Sequence, residues 1–265
     1  MRNVRLEVSY DGSRFFGWQR QDGHVSVQEA IEQALTSLLG EPATVHGSGR
    51  TDTGVHALRQ VASFHVDTPL TDDRLRHAIN AHITRGVTIR RLETCDDNFH
   101  PRFDALSKRY LYLALTTRFR PPFALDYVHW VNHPLDYEAM RHAANCLLGE
   151  HDFRAFSSAN STARSSVRTI RHVRIVGRRE RFALIVESNG FLYNMVRIIA
   201  GTLIDVGRGR LDPDCVARAL ASGDREELGM TAPASGLYLL RVRYPEPCFR
   251  GPDRGPRGVP GLFQV

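Results

Sequence analysis

Apolar and polar residues alternate at the start of the chain: Val4, Leu6, Val8 and Tyr10 against Arg5, Glu7 and Ser9. That period of two predicts a half-buried strand. Asp11-Gly12-Ser13 closes it with turn-forming residues. The period then lengthens. Val27, Ala30, Ile31, Ala34, Leu35 and Leu38 fall on one face of a helix. Ser26 with Glu29 forms a capping box at its start, and Gly40 ends it. A short strand near Ala43 to His46 follows, then a strand from Arg59 to Val66. Thr71-Asp72-Asp73 opens a helix carrying Leu75, Ala78 and Ile79, with acids in its first turn. Val87 to Glu93 is a further strand. The order is β-α-β-β-α-β, a split βαβ arrangement.

Asn98 to Ser107 is polar and reads as a crossover. In the strand Arg109 to Leu115, Tyr110 and Tyr112 share one face and Leu111, Leu113 and Leu115 the other. Arg118 to Phe123 is a loop, and Tyr127 to Val131 is extended. Tyr137 to Leu148 is helical, with Met140, Ala143, Ala144 and Leu147 inward and Gly149 at its end. Ser157 to Ser166 is a flexible polar run. Strands at Thr169 to Val176 and Phe182 to Glu187 are joined by a basic turn. Phe191 to Val206 is an apolar helix with a single arginine, Arg197. A short helix follows Pro213, and Leu237 to Tyr244 is the last strand. From Glu246 the Gly/Pro-rich chain has no packing pattern and reads as a loose tail. The fold class is therefore α+β. The expected domains are residues 1–104 and 105–245, with 246–265 as the tail.

Composition narrows the partners. Basic residues number 35 against 29 acidic ones, a net charge of +6 and a pI near 9.4. That balance favours a polyanion, nucleic acid first. Cys95, Cys146, Cys215 and Cys248 form no C-x-x-C pair, which argues against a disulfide framework or a cysteine zinc site. Met1 to Tyr10 has no signal-peptide core, and no apolar run approaches the roughly 18 residues of a membrane span. A soluble, cytoplasmic protein is expected.

Candidate chemistry concentrates in Gly47-Ser48-Gly49-Arg50-Thr51-Asp52-Thr53-Gly54-Val55-His56-Ala57-Leu58, and no apolar periodicity runs through Gly47 to Gly54. Its glycines allow a close approach by backbone or ligand. It is either a tight turn whose Asp52 bonds its own backbone or a site that presents one carboxylate. The aromatic and basic stretch Arg14 to Arg20 suits base stacking, or else Phe15, Phe16 and Trp18 cover the core. Arg197 needs a partner or must snorkel.

Other chemistries find no support. Glycoside hydrolysis wants a second carboxylate. Asp52-Thr53-Gly54 looks like an aspartic protease triplet, but no second copy exists and Arg50 stands beside it. His129 and His133 have zinc-like spacing only on a helix, which Pro134 opposes. Gly207-Arg208-Gly209 reads as a helix end before a phosphate cradle.

The loop from Gly47 to Ala57 resembles the signature of the tRNA pseudouridine synthase A family. The resemblance continues, in order, through Tyr10-Asp11-Gly12 with Phe16-Gly17-Trp18-Gln19, Ser107-Lys108-Arg109-Tyr110, Met195 to Leu203, and Ala232 to Leu239. It covers about Met1 to Pro245. It implies two similar α/β subdomains, each an antiparallel sheet flanked by helices, with an active-site cleft between them. It also implies isomerisation of uridine to pseudouridine in the anticodon stem-loop of tRNA, at positions thirty-eight to forty in the family. The N1–C1′ bond breaks, the uracil turns, and C5 joins C1′. No electrons or groups are exchanged, so no cofactor is expected.

By the same resemblance Asp52 is the nucleophile, attacking either C6 or C1′. Arg197 is its counter-charge. Tyr110 stacks on the extruded base and helps move the C5 proton. Arg50 fills the space the base leaves. Gln19, with Trp18 and Arg20, is our own addition as an RNA contact. The resemblance further implies a homodimer that binds tRNA. A tRNA-binding module without catalysis is the competing class, and the intact Asp52, Arg197 and Tyr110 favour the enzyme.

Overall fold

The computed structural model describes residues 1–158 and 164–250. In chain order its elements are β1 (Arg2–Tyr10), α1 (Val27–Leu39), β2 (His46–Gly47), β3 (His56–Val66), α2 (Asp72–His82), β4 (Val87–Thr94), β5 (Ser107–Leu115) and β6 (His129–Trp130). There follow α3 (Tyr137–Asn145), β7 (Gly149–Asp152), β8 (Val167–Arg178), β9 (Arg181–Ser188), α4 (Met195–Gly207), α5 (Cys215–Ser222) and β10 (Leu237–Arg243). They form two units, Met1–Leu106 with the described residues from Tyr238 onward, and Ser107–Leu237.

In the first unit the strand order is β4-β1-β3-β10, with β2 alongside β3. β1 runs antiparallel to β3 and β4, whereas β10 runs parallel to β3 through Tyr238↔His56 and Leu239↔Ala57. Sequence order would leave this last strand with the second half of the chain; instead it hydrogen-bonds to β3. In β1 Val4, Leu6 and Val8 are fully buried as the alternation predicts, but Asn3 and Glu7 on the other face are buried as well, so the strand is more than half-buried. α1 is capped as its sequence predicts. Ser26 Oγ accepts the Glu29 N–H at 3.1 Å, and Gly40 ends the helix at φ 78°. Its buried Glu32 accepts the Val45 N–H at 3.0 Å, which ties the helix to the approach to β2.

Two expectations for this unit change. β3 starts at His56 rather than Arg59, because almost every residue in it is buried and no alternation marks its start. The tail is packed as far as it is described. Phe249 is buried, with the Arg91 and Arg5 guanidinium groups 4.9 and 5.4 Å from its ring centre. Arg250 N–H donates to Glu93 Oε1 at 2.8 Å. An aromatic ring between two arginines gains both burial and cation–π attraction, which a search for apolar periodicity does not register.

In the second unit the order is β5-β9-β8-β7, all antiparallel, with β6 parallel to β5. α3 ends at Asn145, three residues before the predicted Leu148. β7 is Gly-Glu-His-Asp, too short and polar to be read from the sequence. α4 begins at Met195 instead of Phe191, because Asn194 takes the left-handed conformation at φ 61°. Every α4 residue is buried except Arg197. Gly207 closes the helix where an added Cβ would lie 2.6 Å from Met140 Sδ. Of the polar run Ser157 to Ser166, residues 159–163 lie outside the described residues, as does the tail beyond Arg250. Among the described residues no helix is long and apolar enough to cross a membrane. Strand pairing within each unit is antiparallel except at β10 and β6, and each unit carries helices, which is the predicted α+β class.

Candidate active site

In the first unit the loop between β2 and β3 is clamped by the residues around it. Gly47 lies under Trp18, so that a Cβ there would come within 2.4 Å of the indole. Ser48 N–H donates to Val61 O at 2.8 Å, and Ser48 Oγ to Gln60 Oε1 at 2.5 Å. Gln60 Nε2 returns a bond to Gly49 O at 2.9 Å. Thr51 is held twice. Its Oγ1 shares a 2.8 Å hydrogen bond with the buried Tyr10 hydroxyl, and its carbonyl accepts the Trp18 N–H at 3.0 Å. Burial pushes the Tyr10 hydroxyl well above its ordinary pKa, against the pull of its bonds to Thr51 and Gln60, so it stays protonated. Val55 N–H donates to Asp52 O at 3.1 Å, and Gly54 turns the chain at φ 81°.

The turn after β1 completes this frame. A Cβ on Gly12 would lie 2.1 Å from Val55 O, and one on Gly17 2.5 Å from Thr51 O. No side chain fits at either position. Gly12 N–H lies 3.0 Å from Nδ1 of the buried His56, and Asp11 Oδ1 lies 3.5 Å from the same nitrogen. The ring stacks on Tyr238 at 4.6 Å. The backbone at Asp52 is thus a tight turn, and the Asp52 side chain is half-buried. Phe15 and Trp18 cover the core, at 3% and 2% exposure, whereas Phe16 is 47% exposed and stacks on His24. Arg50 is exposed, and its Nε donates to Gln19 Oε1 at 3.2 Å, so these two predicted residues come together. Gln19 is held in turn by Gln28 Oε1 at 2.9 Å.

In the second unit Tyr110 lies on β5, 8% exposed, with the Phe191 ring edge-on at 5.1 Å. Its neighbour Arg109 pairs with the buried Glu187 on β9, whose other oxygen accepts from Ser107 Oγ at 2.8 Å. This charge-assisted cluster fixes β5 beside Tyr110. Arg197 is half-buried on α4. Its Nε donates to Ala232 O at 2.7 Å and its Nη1 to Asn194 Oδ1 at 2.8 Å. Ala232 N–H bonds back to Arg197 O at 3.1 Å. Snorkelling is therefore not the account of Arg197, because a carbonyl and an amide hold its guanidinium.

A Cβ on Gly201 would come within 1.8 Å of Met230 O, and Gly229 N–H donates to Thr202 Oγ1 at 3.0 Å. The segment from Leu228 to Gly236 is thereby laid along α4 and on to β5, where Tyr112 donates its hydroxyl to Pro233 O at 2.9 Å. Gln60, Thr51 and Asn194 support the predicted site residues but escape sequence reading. The only local signal is Asn194, a residue type that tolerates φ > 0, ahead of a strong helix pattern. Among the described residues no group of three or more His, Cys, Asp or Glu side chains could hold a metal ion.

The sequence profile of the tRNA pseudouridine synthase family matches residues 7–104 and 143–245. A protein of Thermoanaerobacter sp. (strain X514) named tRNA pseudouridine synthase A is 41% identical over 244 residues, 92% of this chain and all of that protein. A protein of the same name from Geobacter sp. (strain M21) is 44% identical over 93% of this chain and all of its own length. Among solved structures, an archaeal box H/ACA sRNP Nop10–Cbf5 complex overlays at a TM-score of 0.36 and 12% identity, covering 89% of this chain and 48% of that one. That overlay is too loose to carry an argument. The profile and these relatives define the class, an RNA-modifying isomerase. The chain belongs to the tRNA pseudouridine synthase family, whose function is the isomerisation of uridine in tRNA.

Proposed function

We propose that this chain converts uridine to pseudouridine in the anticodon arm of tRNA, in the cytoplasm, with Asp52 as nucleophile. The observation that carries the reading is the frame around Asp52. Gly12, Gly17 and Gly47 leave no room for a side chain, and Tyr10, Gln60 and Trp18 fasten the loop backbone. A carboxylate held that way loses little freedom when it attacks. The target base must leave its stack, at a cost of roughly a few kcal/mol that is least in a loop or at a stem end.

Asp52 then attacks C6 of the uracil or C1′ of the ribose. The N1–C1′ bond breaks, the base turns, C5 bonds to C1′, the C5 proton leaves to a base, and N1 is protonated. Atoms and electrons balance within the one nucleotide, and the carboxylate is released. Arg197 is the counter-charge that keeps Asp52 ionised. Its support by Ala232 and Asn194 favours that role, because a planar fork already oriented loses less freedom on meeting a carboxylate. Tyr110 offers a ring to the base and a hydroxyl to the C5 proton. Arg50, with Gln19 behind it, occupies the gap in the RNA stack. The active form is a homodimer.

The deciding experiment maps pseudouridine chemically in unmodified tRNA after incubation with wild type and with Asp52→Asn. Wild type is expected to modify the anticodon arm. The variant should keep its tRNA affinity within a few-fold and form no product. Substantial isomerisation by Asp52→Asn would remove Asp52 as nucleophile, and product confined to other arms would remove the site assignment.

A further inference from the structure

On the first unit the crossover from β4 to β5 carries a group of rings at the surface. Phe103 is 75% exposed. His100 packs against it with ring centres 4.3 Å apart, and His46 lies 5.5 Å beyond His100. The Arg102 guanidinium is 5.9 Å from the Phe103 ring centre. An aromatic ring left in water loses burial free energy unless something covers it. The turn that carries it is also stiff. Asp104 Oδ2 accepts the His100 N–H at 2.9 Å, Asp104 N–H donates to His100 O at 3.1 Å, and Arg102 N–H donates to His100 Nδ1 at 3.2 Å. The Tyr244 hydroxyl donates to Pro101 O at 2.7 Å. The ring is thus displayed by a braced turn.

The chemistry selects the occupant. Phe103 is flanked in the chain by Arg102 and Asp104, both exposed, so charged groups stand beside the ring. One flat ring with a guanidinium beside it suits one nucleotide: the ring takes the base and the cation its phosphate. Burial and the neighbouring His46 charge hold the His100 pKa below its ordinary value, so the stacked imidazole is neutral near pH 7 and Arg102 supplies the charge. His46 directly precedes Gly47, and six residues of chain cannot separate it from Asp52 by more than about 21 Å.

We propose that Phe103, backed by His100 and His46 and flanked by Arg102, is a stacking platform for an unpaired base of the tRNA whose target uridine Asp52 attacks. This rests on the functional reading above and extends it to a second nucleotide of the same RNA. The test is a tRNA-binding titration in the Asp52→Asn background, so that turnover does not disturb the equilibrium. Phe103→Ala should weaken binding on the order of ten-fold with an unchanged salt slope, as expected for loss of a stacked base. Arg102→Ala should reduce the salt slope by about one. Phe103→Trp should bind like the parent, and its indole fluorescence should be quenched by tRNA but not by a fully paired duplex.

Phe103→Ala binding within two-fold of the parent would overturn the platform. A change of self-association in place of RNA affinity would overturn it too and mark a protein interface. Those results leave the Asp52 assignment standing. Residual pseudouridine formation by Asp52→Asn would sink that assignment and leave the binding comparison readable. A parent chain that binds no tRNA would sink both.

Discussion

The hydrogen bond between Tyr10 and Thr51 offers the sharpest test of how the aspartate loop is held. Tyr10→Phe removes one oxygen and changes nothing else in shape. Both residues are buried, at 5% and 6% exposure, so water does not readily replace the lost partner. A neutral hydrogen bond is worth a net ~1 kcal/mol, and leaving the Thr51 hydroxyl without its partner raises the cost to about 1–3 kcal/mol. Thr51→Val should cost about as much. In the double variant neither hydroxyl is stranded, so the two losses should fall short of additivity by about 1 kcal/mol.

Trp18 is a natural reporter for this part of the chain. It is 2% exposed and its ring centre is 6.0 Å from that of Tyr10. The chain has two tryptophans, and a Trp130→Phe background leaves Trp18 alone. Urea titration followed by its fluorescence should show shifted midpoints with an unchanged slope. Turnover should fall roughly ten- to hundred-fold in Tyr10→Phe with tRNA affinity kept, because small misplacements at a reacting centre are costly. Strict additivity of the two single losses would refute the reasoning, as would full turnover in a measurably destabilised Tyr10→Phe.

The second unit gives two further expectations. Burial, followed by the Arg208 charge, lowers the His129 pKa from 6.5 to about 4. Above about pH 6.5 the ring is neutral folded or unfolded; between about 6.5 and 4 the unfolded chain takes up a proton that the folded one refuses, so up to about 3 kcal/mol of stability is lost as pH falls through that window. His129→Phe should flatten that stretch of the stability profile, and an unaltered profile would assign the acid sensitivity elsewhere. Gly201→Ala would set a Cβ 1.8 Å from the backbone carbonyl of Met230, with no flexible side chain able to give way. It should push the Leu228–Ala232 segment off α4 and yield insoluble or inactive protein; a soluble variant of normal turnover would count against this packing.

Much of this was legible in the sequence, and the gaps have physical causes. α1 declares itself because its cap, its apolar stripe and its terminal glycine agree. β1 does so through strict alternation. β3 hides its first turn of chain because both of its faces are buried, so the period-two signal vanishes. The start of α4 is displaced by a single left-handed residue, Asn194, which a hydrophobic pattern does not reveal. The aspartate loop was visible as a run of glycines around one acid, yet the reason for each glycine was not. Trp18 approaches Gly47 from another segment, Thr51 and Val55 of the loop pack against Gly17 and Gly12, and such contacts are tertiary. The same holds for Arg197, whose charge was conspicuous in an apolar helix while its supports, Ala232 and Asn194, were not. Phe15, Phe16 and Trp18 look alike in sequence, and only the packing separates the buried pair from the exposed one.

The partner of β3 is made last. β10 comes from the end of the chain, and Tyr238 from that strand stacks on His56 at the foot of the aspartate loop. On the ribosome, His56 emerges on the order of ten seconds or more before Tyr238 does. Throughout that interval the His56–Ala57 end of β3 lacks its parallel partner and the imidazole lacks its stacking ring. Any release of the chain before β10, by premature termination or proteolysis, leaves the Asp52 sequence intact without the strand that finishes its surroundings. A chain that stops before Tyr238 therefore leaves His56 without both its strand partner and its stacked ring.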